Sequence, residues 1–130
     1  LERLLDRMQK KSLGSSRILV VGIAYKKNVS DVRESASFEI IRLLEQRGAS
    51  VEFHDPLVET VPTMRRFPEM AGRVSTGLTP LEIERFDAIL IATDHDDIDY
   101  ALLSAHARLV VDTRNAIDKR GFATPSTFKA

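Results

Sequence analysis

The chain has 130 residues, 43% hydrophobic and 29% charged, and its 19 basic and 19 acidic side chains cancel. That length suits one domain around a single core, and zero net charge supplies no overall field drawing the chain to nucleic acid or an anionic membrane. Cysteine is absent, which excludes disulfides, thiolate-bound zinc and a thiol nucleophile within this chain. No apolar run approaches the roughly 18 residues that cross a bilayer, and a cytoplasmic location is expected.

In chain order, Leu1, Leu4, Leu5 and Met8 fall at helical spacing, and Lys10 to Ser16 reads as a short flexible connection. The chain opens at Leu1 rather than Met, so a fragment of a longer protein is expected. Arg17 to Ile23 holds the continuous run Ile18-Leu19-Val20-Val21, which suits a strand buried on both faces. A polar loop, Lys26 to Glu34, leads to a helix over about Ser35 to Gln46, with Gly48 at its C-cap. Val51-Glu52-Phe53 reads as a second strand, ending at Asp55-Pro56. Leu57 to Met70, interrupted by Pro62 and Pro68, predicts one short irregular helix, and Arg73-Val74-Ser75 a weak strand. Thr79-Pro80-Leu81-Glu82 resembles a helix start with proline at the first helical position. Ala88 to Ala92 predicts a buried strand, Ile98 to His106 a helix and Leu109-Val110-Val111 another buried strand, while the tail from Lys119 carries little pattern.

Apolar strands alternating with amphipathic helices predict an α/β fold: a three-layer, doubly wound (Rossmann-like), mostly parallel sheet in a single domain. Ligands of such sheets gather at the C-terminal ends of the strands. The first strand-to-helix turn, where a dinucleotide fold would place G-x-G-x-x-G, reads Gly22-Ile23-Ala24-Tyr25-Lys26-Lys27-Asn28-Val29-Ser30-Asp31-Val32-Arg33-Glu34-Ser35 and has one glycine. A pyrophosphate therefore lacks the usual close approach to backbone. Lys26, Lys27 and Arg33 offer side-chain cations instead; on spacing alone, solvated loop lysines are the commoner outcome.

That loop resembles the G-x-[AS]-[FY]-K-x-x-[TV]-x-D-x-R-E-[SA] signature of the UDP-glucose/GDP-mannose dehydrogenase family. Three further blocks match in order: Gly48-Ala49-Ser50-Val51 with His54-Asp55-Pro56, then Asp87 to His95, then Val110 to Asn115. The resemblance spans about Arg17 to Ile117. It implies a C-terminal nucleotide-sugar (UDP)-binding domain over 17–130, with 1–16 as the end of a preceding helix and its linker. In the family the catalytic cysteine and the glycine-rich NAD loop lie upstream of this region. The implied full-length enzyme oxidises the sugar C6 alcohol to a carboxylate with NAD, and the chain by itself is expected to be inactive. Implied partners are a UDP-sugar, the NAD-binding domain of the same full-length chain and further copies in a homo-oligomer, with no nucleic acid and no membrane.

By that resemblance Lys26 lines the substrate site near the diphosphate, with Tyr25 as the aromatic residue beside it. Arg33 matches the arginine that reaches towards the NAD pyrophosphate, and Arg114 one that contributes to the UDP site; a salt bridge to Asp112 or Asp94 is the competing role for Arg114. Asp31 and Glu34 fit a D-x-x-E capping box for the following helix. Asp94-His95-Asp96-Asp97 invites a metal reading with His54 or His106, but consecutive carboxylates in a loop more often stay hydrated, and no metal is expected. Asp55 follows Gly22 by 33 residues rather than the roughly 20 of a ribose-binding acid, and a turn-stabilising role before Pro56 is expected. Tyr25, His54, the Thr93-Asp94-His95 block and Asp112-Thr113-Arg114 are similar to the N-acetylhexosamine branch, implying UDP-GlcNAc or UDP-ManNAc as substrate. Ser30 departs from the acidic residue frequent in the family, while Asp31 and Arg33 are kept. Two alternatives are a self-sufficient NAD(P)-dependent reductase, against which the missing glycine fingerprint argues, and a non-catalytic receiver-like α/β domain with Asp55 as its phosphoacceptor.

Overall fold

A computed structural model describes residues 12–129; the helix expected over Leu1 to Met8 lies outside them. Five strands, β1 (Arg17–Val21), β2 (Ser50–His54), β3 (Ala88–Ile91), β4 (Val110–Asp112) and β5 (Thr127–Lys129), form one sheet. Their order is β2-β1-β3-β4-β5 and every pairing is parallel. Three helices accompany them: α1 (Ser37–Gln46), α2 (Pro80–Glu84) and α3 (Tyr100–His106).

The side-chain alternation of β1 divides the core between the two faces of the sheet. Ile18 and Val20 join Phe38, Ile41 and Leu44 of α1, while Leu19 and Val21 join Ile83 of α2 and Leu103 of α3. Ile18, Leu19, Val20 and Val21 are all fully buried, as a central parallel strand covered on both sides requires. The expected three-layer doubly wound sheet is the fold observed.

Helix boundaries follow local chemistry. The α1 helix ends in a Schellman arrangement: Gly48, at φ 93°, donates to the Glu45 carbonyl and Ala49 to that of Leu44. Thr79 and Glu82 close a reciprocal capping box at the start of α2, and Asp99 caps α3 by accepting from the Leu102 N–H. The capping box expected from Asp31 and Glu34 does not form. The α1 helix begins at Ser37, too far along for the Asp31 side chain, which accepts from the backbone and guanidinium of Arg33 instead.

Two segments differ from expectation. Leu57 to Met70 is not one irregular helix but a string of turns with a 3-10 turn at Pro68–Met70. Val58, Val61, Met64, Phe67 and Met70 are nonetheless buried against the α1 face of the sheet. Their three-residue spacing imitates a helix, but Pro62 and Pro68 lack the N–H that a helix interior needs. The weak strand at Arg73 to Ser75 survives as an antiparallel bridge between Val74 and Thr60. The patternless tail ends in β5, which adds a parallel edge to β4 and packs half-buried Phe128 against the core. Leu13, in a 3-10 turn at Leu13–Ser15, is buried in the same cluster.

Gly22 ends β1 at φ 85°, where a Cβ would stand 2.3 Å from the Thr93 carbonyl oxygen. Gly22→Ala combines positive-φ strain with a backbone clash, and we expect a loss of roughly 2–4 kcal/mol in urea unfolding; an unchanged midpoint would contradict this packing.

Candidate functional site

In the order 2-1-3-4-5 the direction of winding reverses between β1 and β3, and ligands of doubly wound sheets bind in the crevice outside the strand ends at that point. An open cleft of about 490 Å³ lies there, within the size range of small-molecule sites. Ala24 and Tyr25 from the loop after β1, Ala92 and Thr93 after β3, Thr113 and Arg114 after β4, and Glu34 to Ser37 leading into α1 form its walls.

The floor is tied down by hydroxyls that bond backbone. Thr93 Oγ1 donates to the Ala24 carbonyl at 2.9 Å, Thr113 Oγ1 to Ile91 at 2.6 Å, and Ser37 Oγ to Gly22 at 3.0 Å. Arg114 is positioned by buried Asp112, whose Oδ1 accepts from the Arg114 N–H and whose Oδ2 accepts from the Ile117 N–H. Its guanidinium Nε donates to the Ala92 carbonyl at 3.0 Å, which orients the fork; the terminal nitrogens have no partner among the described residues. The salt bridges considered for Arg114 are not made: Asp112 contacts its backbone, and Asp94 pairs with Lys119 at 2.7 Å.

The structure brings Tyr25 and Arg114 to one cleft. Lys26 follows Tyr25 on the exposed crest of the loop, with no ion pair among the described residues. Arg33 stands elsewhere, lining with Glu34, Thr63, Met64, Arg65 and Arg66 a second recess of about 380 Å³. Its guanidinium bonds both carboxylate oxygens of Asp31 and holds that carboxyl down at about 2. Both partners are exposed, and such pairs are worth little, so the contact does not immobilise Arg33 against a competing anion.

The loops around the cleft meet at a buried centre that spacing did not reveal. Asp55 Oδ2 accepts from the Ile23 N–H at 2.9 Å and from His95 Nε2 at 2.8 Å, and its Oδ1 accepts from the Leu57 N–H at 2.8 Å. The last bond is the turn-stabilising role expected of Asp55 before Pro56, but the other two join the loops after β1 and β3. Neither side chain of the Asp55–His95 pair is exposed to solvent. Asn28, at φ 62°, donates its backbone N–H to His95 Nδ1 at 2.8 Å and exchanges side-chain hydrogen bonds with Asp96. The available signal was a polar residue soon after the second and third strands, Asp55 and His95, since a parallel sheet brings its C-terminal strand ends to one side. With both oxygens engaged and the residue 2% exposed, Asp55 is no phosphoacceptor, and the receiver-like alternative loses its candidate residue. Among the described residues no group of three or more His, Asp or Glu is arranged to hold a metal, and no helix is long and apolar enough to cross a membrane.

Residues 19–119 match the profile of the UDP-glucose/GDP-mannose dehydrogenase family, UDP binding domain. The chain belongs to this family. It is similar to a UDP-glucose 6-dehydrogenase of Haloferax volcanii, 32% identical over 92% of the chain and 28% of that relative. A UDP-N-acetyl-D-mannosamine dehydrogenase of Methanococcus maripaludis is 30% identical over 88% of the chain and 26% of its own length. Among solved structures, a UDP-glucose dehydrogenase from Pyrobaculum islandicum superposes at a TM-score of 0.62 with 26% identity, over 98% of the chain and 27% of that protein. The fold is likewise that of a UDP-D-ManNAc dehydrogenase from Pyrococcus horikoshii, at a TM-score of 0.67 with 21% identity, over 98% of the chain and 28% of that protein. The chain thus spans little more than a quarter of the length of these family members.

Burial pushes the Asp55 carboxyl up, but hydrogen bonds from His95, Ile23 and Leu57 outweigh it and hold the carboxyl below its ordinary value of 3.8. A depressed folded-state pKa contributes stability that is present above the unfolded value and lost as pH falls through the folded one. The wild-type chain should therefore lose stability as pH drops below about 4, and Asp55→Asn should be less stable at neutral pH yet show a shallower acid limb. Parallel urea midpoint-against-pH curves for the two proteins would contradict this.

Proposed function

We propose that residues 17–130 form the C-terminal nucleotide-sugar-binding unit of an NAD-dependent UDP-sugar 6-dehydrogenase. The observation that carries this reading is the cleft at the sheet's reversal point, where Tyr25 and Arg114 converge in a chain of the UDP-binding family. Alanines and Ile40 supply apolar wall for a base or sugar ring, and the Tyr25 ring, 54% exposed, has an open face for stacking. Arg114 presents a planar fork suited to diphosphate oxygens. Lys26, free of any ion pair among the described residues, adds a compact charge from the crest above. Glu34 offers an acceptor for hydroxyls of a ribose or hexose.

Arg33 lines the second recess, which shares Glu34 with this cleft, and it suits contact with the NAD pyrophosphate held mainly by an NAD-binding domain of the same full-length chain. Similarity to the N-acetylhexosamine branch in the Thr93-Asp94-His95 block favours UDP-GlcNAc or UDP-ManNAc over UDP-glucose; the relatives include both a UDP-glucose and a UDP-N-acetyl-D-mannosamine dehydrogenase. The full-length enzyme acts as a cytoplasmic homo-oligomer. No catalytic residue is assigned within this chain, which has no cysteine.

In a thermal-shift comparison of UDP, GDP, NAD and acetyl phosphate, UDP should raise the melting temperature most, because a ligand near 100 times its Kd stabilises by about 2.7 kcal/mol. Arg114→Ala and Lys26→Ala should each weaken UDP binding roughly 10- to 150-fold in calorimetric titration, as for lost charge-assisted hydrogen bonds. Unchanged affinity in both variants would remove the site assignment. Incubated with UDP-sugars and NAD, the chain by itself should yield no absorbance from reduced cofactor; steady production would overturn the division of labour proposed here.

A further inference from the structure

The crest carrying Tyr25 and Lys26 has few means of holding its shape. Residues 25–28 are exposed, and no proline stiffens them. Three bonds close the base of the loop: the Tyr25 N–H donates to the Asp31 carbonyl at 2.7 Å, the Ile23 N–H to Asp55, and Thr93 Oγ1 to the Ala24 carbonyl. On the far side of Lys26, the first backbone anchor is the Asn28 N–H, which donates to His95 Nδ1. Asn28 sits in left-handed backbone, a conformation that costs an L-residue energy and persists where its surroundings hold it.

The direction of that bond fixes the imidazole. Because the Asn28 N–H is a donor, Nδ1 must be the unprotonated acceptor, so the ring proton lies on Nε2 and is donated to the Asp55 carboxylate. Asp55 thus selects the tautomer that leaves Nδ1 free to accept. Both rings of the chain of contacts are shut off from water: the His95 side chain has no exposed surface, and the Tyr100 hydroxyl donates to the His95 carbonyl at 2.7 Å, steadying the backbone beneath it. Asp96, the next residue, grips the Asn28 side chain from outside.

We propose that His95 is a positioning residue for the nucleotide ligand: it touches no ligand itself, and its Nδ1, poised by Asp55, sets the conformation from which Tyr25 and Lys26 reach the cleft. This inference rests on the reading of Lys26 as a ligand-binding group. It makes a contrast that a merely structural core histidine would not. In His95→Asn the side-chain oxygen overlays Nδ1 and can accept from Asn28, but the contact with Asp55 is lost. In His95→Gln the amide nitrogen overlays Nε2 and can donate to Asp55, but the acceptor for Asn28 is lost.

Both variants should melt below the wild type. His95→Asn should bind UDP within about threefold of the wild type, whereas His95→Gln should bind roughly tenfold more weakly, the effect of one lost buried hydrogen bond. Amide hydrogen exchange, read by NMR without ligand, should show Asn28 protected in His95→Asn and fast in His95→Gln. Equal affinity losses in the two variants, or equal exchange at Asn28, would overturn the inference. Lys26→Ala, run alongside, separates the two claims. If it leaves UDP affinity unchanged, the ligand reading fails and takes the positioning role with it. If it weakens binding while the Asn and Gln variants behave alike, only the positioning role fails.

Discussion

The fold meets its candidate function at one buried pair, Asp55 and His95. A carboxylate enclosed without water is costly unless its oxygens are filled, and here they are filled from three separate places: Ile23 after β1, Leu57 after β2 and His95 after β3. The requirement to satisfy a single charge therefore draws three loops together. Because Asn28 then bonds the far side of the imidazole, the constraint reaches into the exposed loop whose side chains border the cleft.

The sheet supplies the geometry that lets one carboxylate do this. In parallel strands all C-terminal ends emerge on one side, and placing β1 between β2 and β3 puts its following loop within reach of both neighbours. Gly22 permits the closest approach, since its missing side chain lets the end of β1 lie against Thr93. Asp112 does for the fourth strand what Asp55 does for the second. It accepts two backbone N–H groups from the turn that follows and so sets where Arg114 starts. Aspartate recurs at these strand ends because its short carboxylate can reach amide groups two to five residues on.

Much of this was legible in the sequence. Ile18 to Val21, Ala88 to Ala92 and Leu109 to Val111 are apolar runs too uniform for a half-exposed strand, and each became a strand of the central sheet. Gly48 and the Thr79–Glu82 pair announced helix ends through local chemistry that tertiary context did not override. Where reading failed, the deciding force was non-local. β5 is three residues long and exists because β4 offers it an edge; nothing in Thr127-Phe128-Lys129 alone demands a strand. Residues 57–70 carried a helix-like apolar spacing whose prolines forbade the helix but not the burial. The Asp31–Glu34 pattern had capping chemistry, but Arg33 lay closer to Asp31 than any helical N–H. Of the candidate site, Tyr25 and Arg114 meet as the strand-end rule suggests. The Asp55–His95 contact joins residues 40 apart, a distance that only the strand order could resolve.

The walls of the cleft come from segments that follow different strands, and its rim carries the side chains of Tyr25, Glu34 and Arg114. The threonines beneath them are committed to carbonyls and belong to the scaffold. Chemistry at the rim and architecture at the floor are thus encoded by separate residues. Exchange of a residue such as Glu34 or Tyr25 alters the chemistry of the rim without touching the bonds that tie the floor. A glycine-lined cradle lacks that freedom, because there the contour of the backbone is itself the receptor.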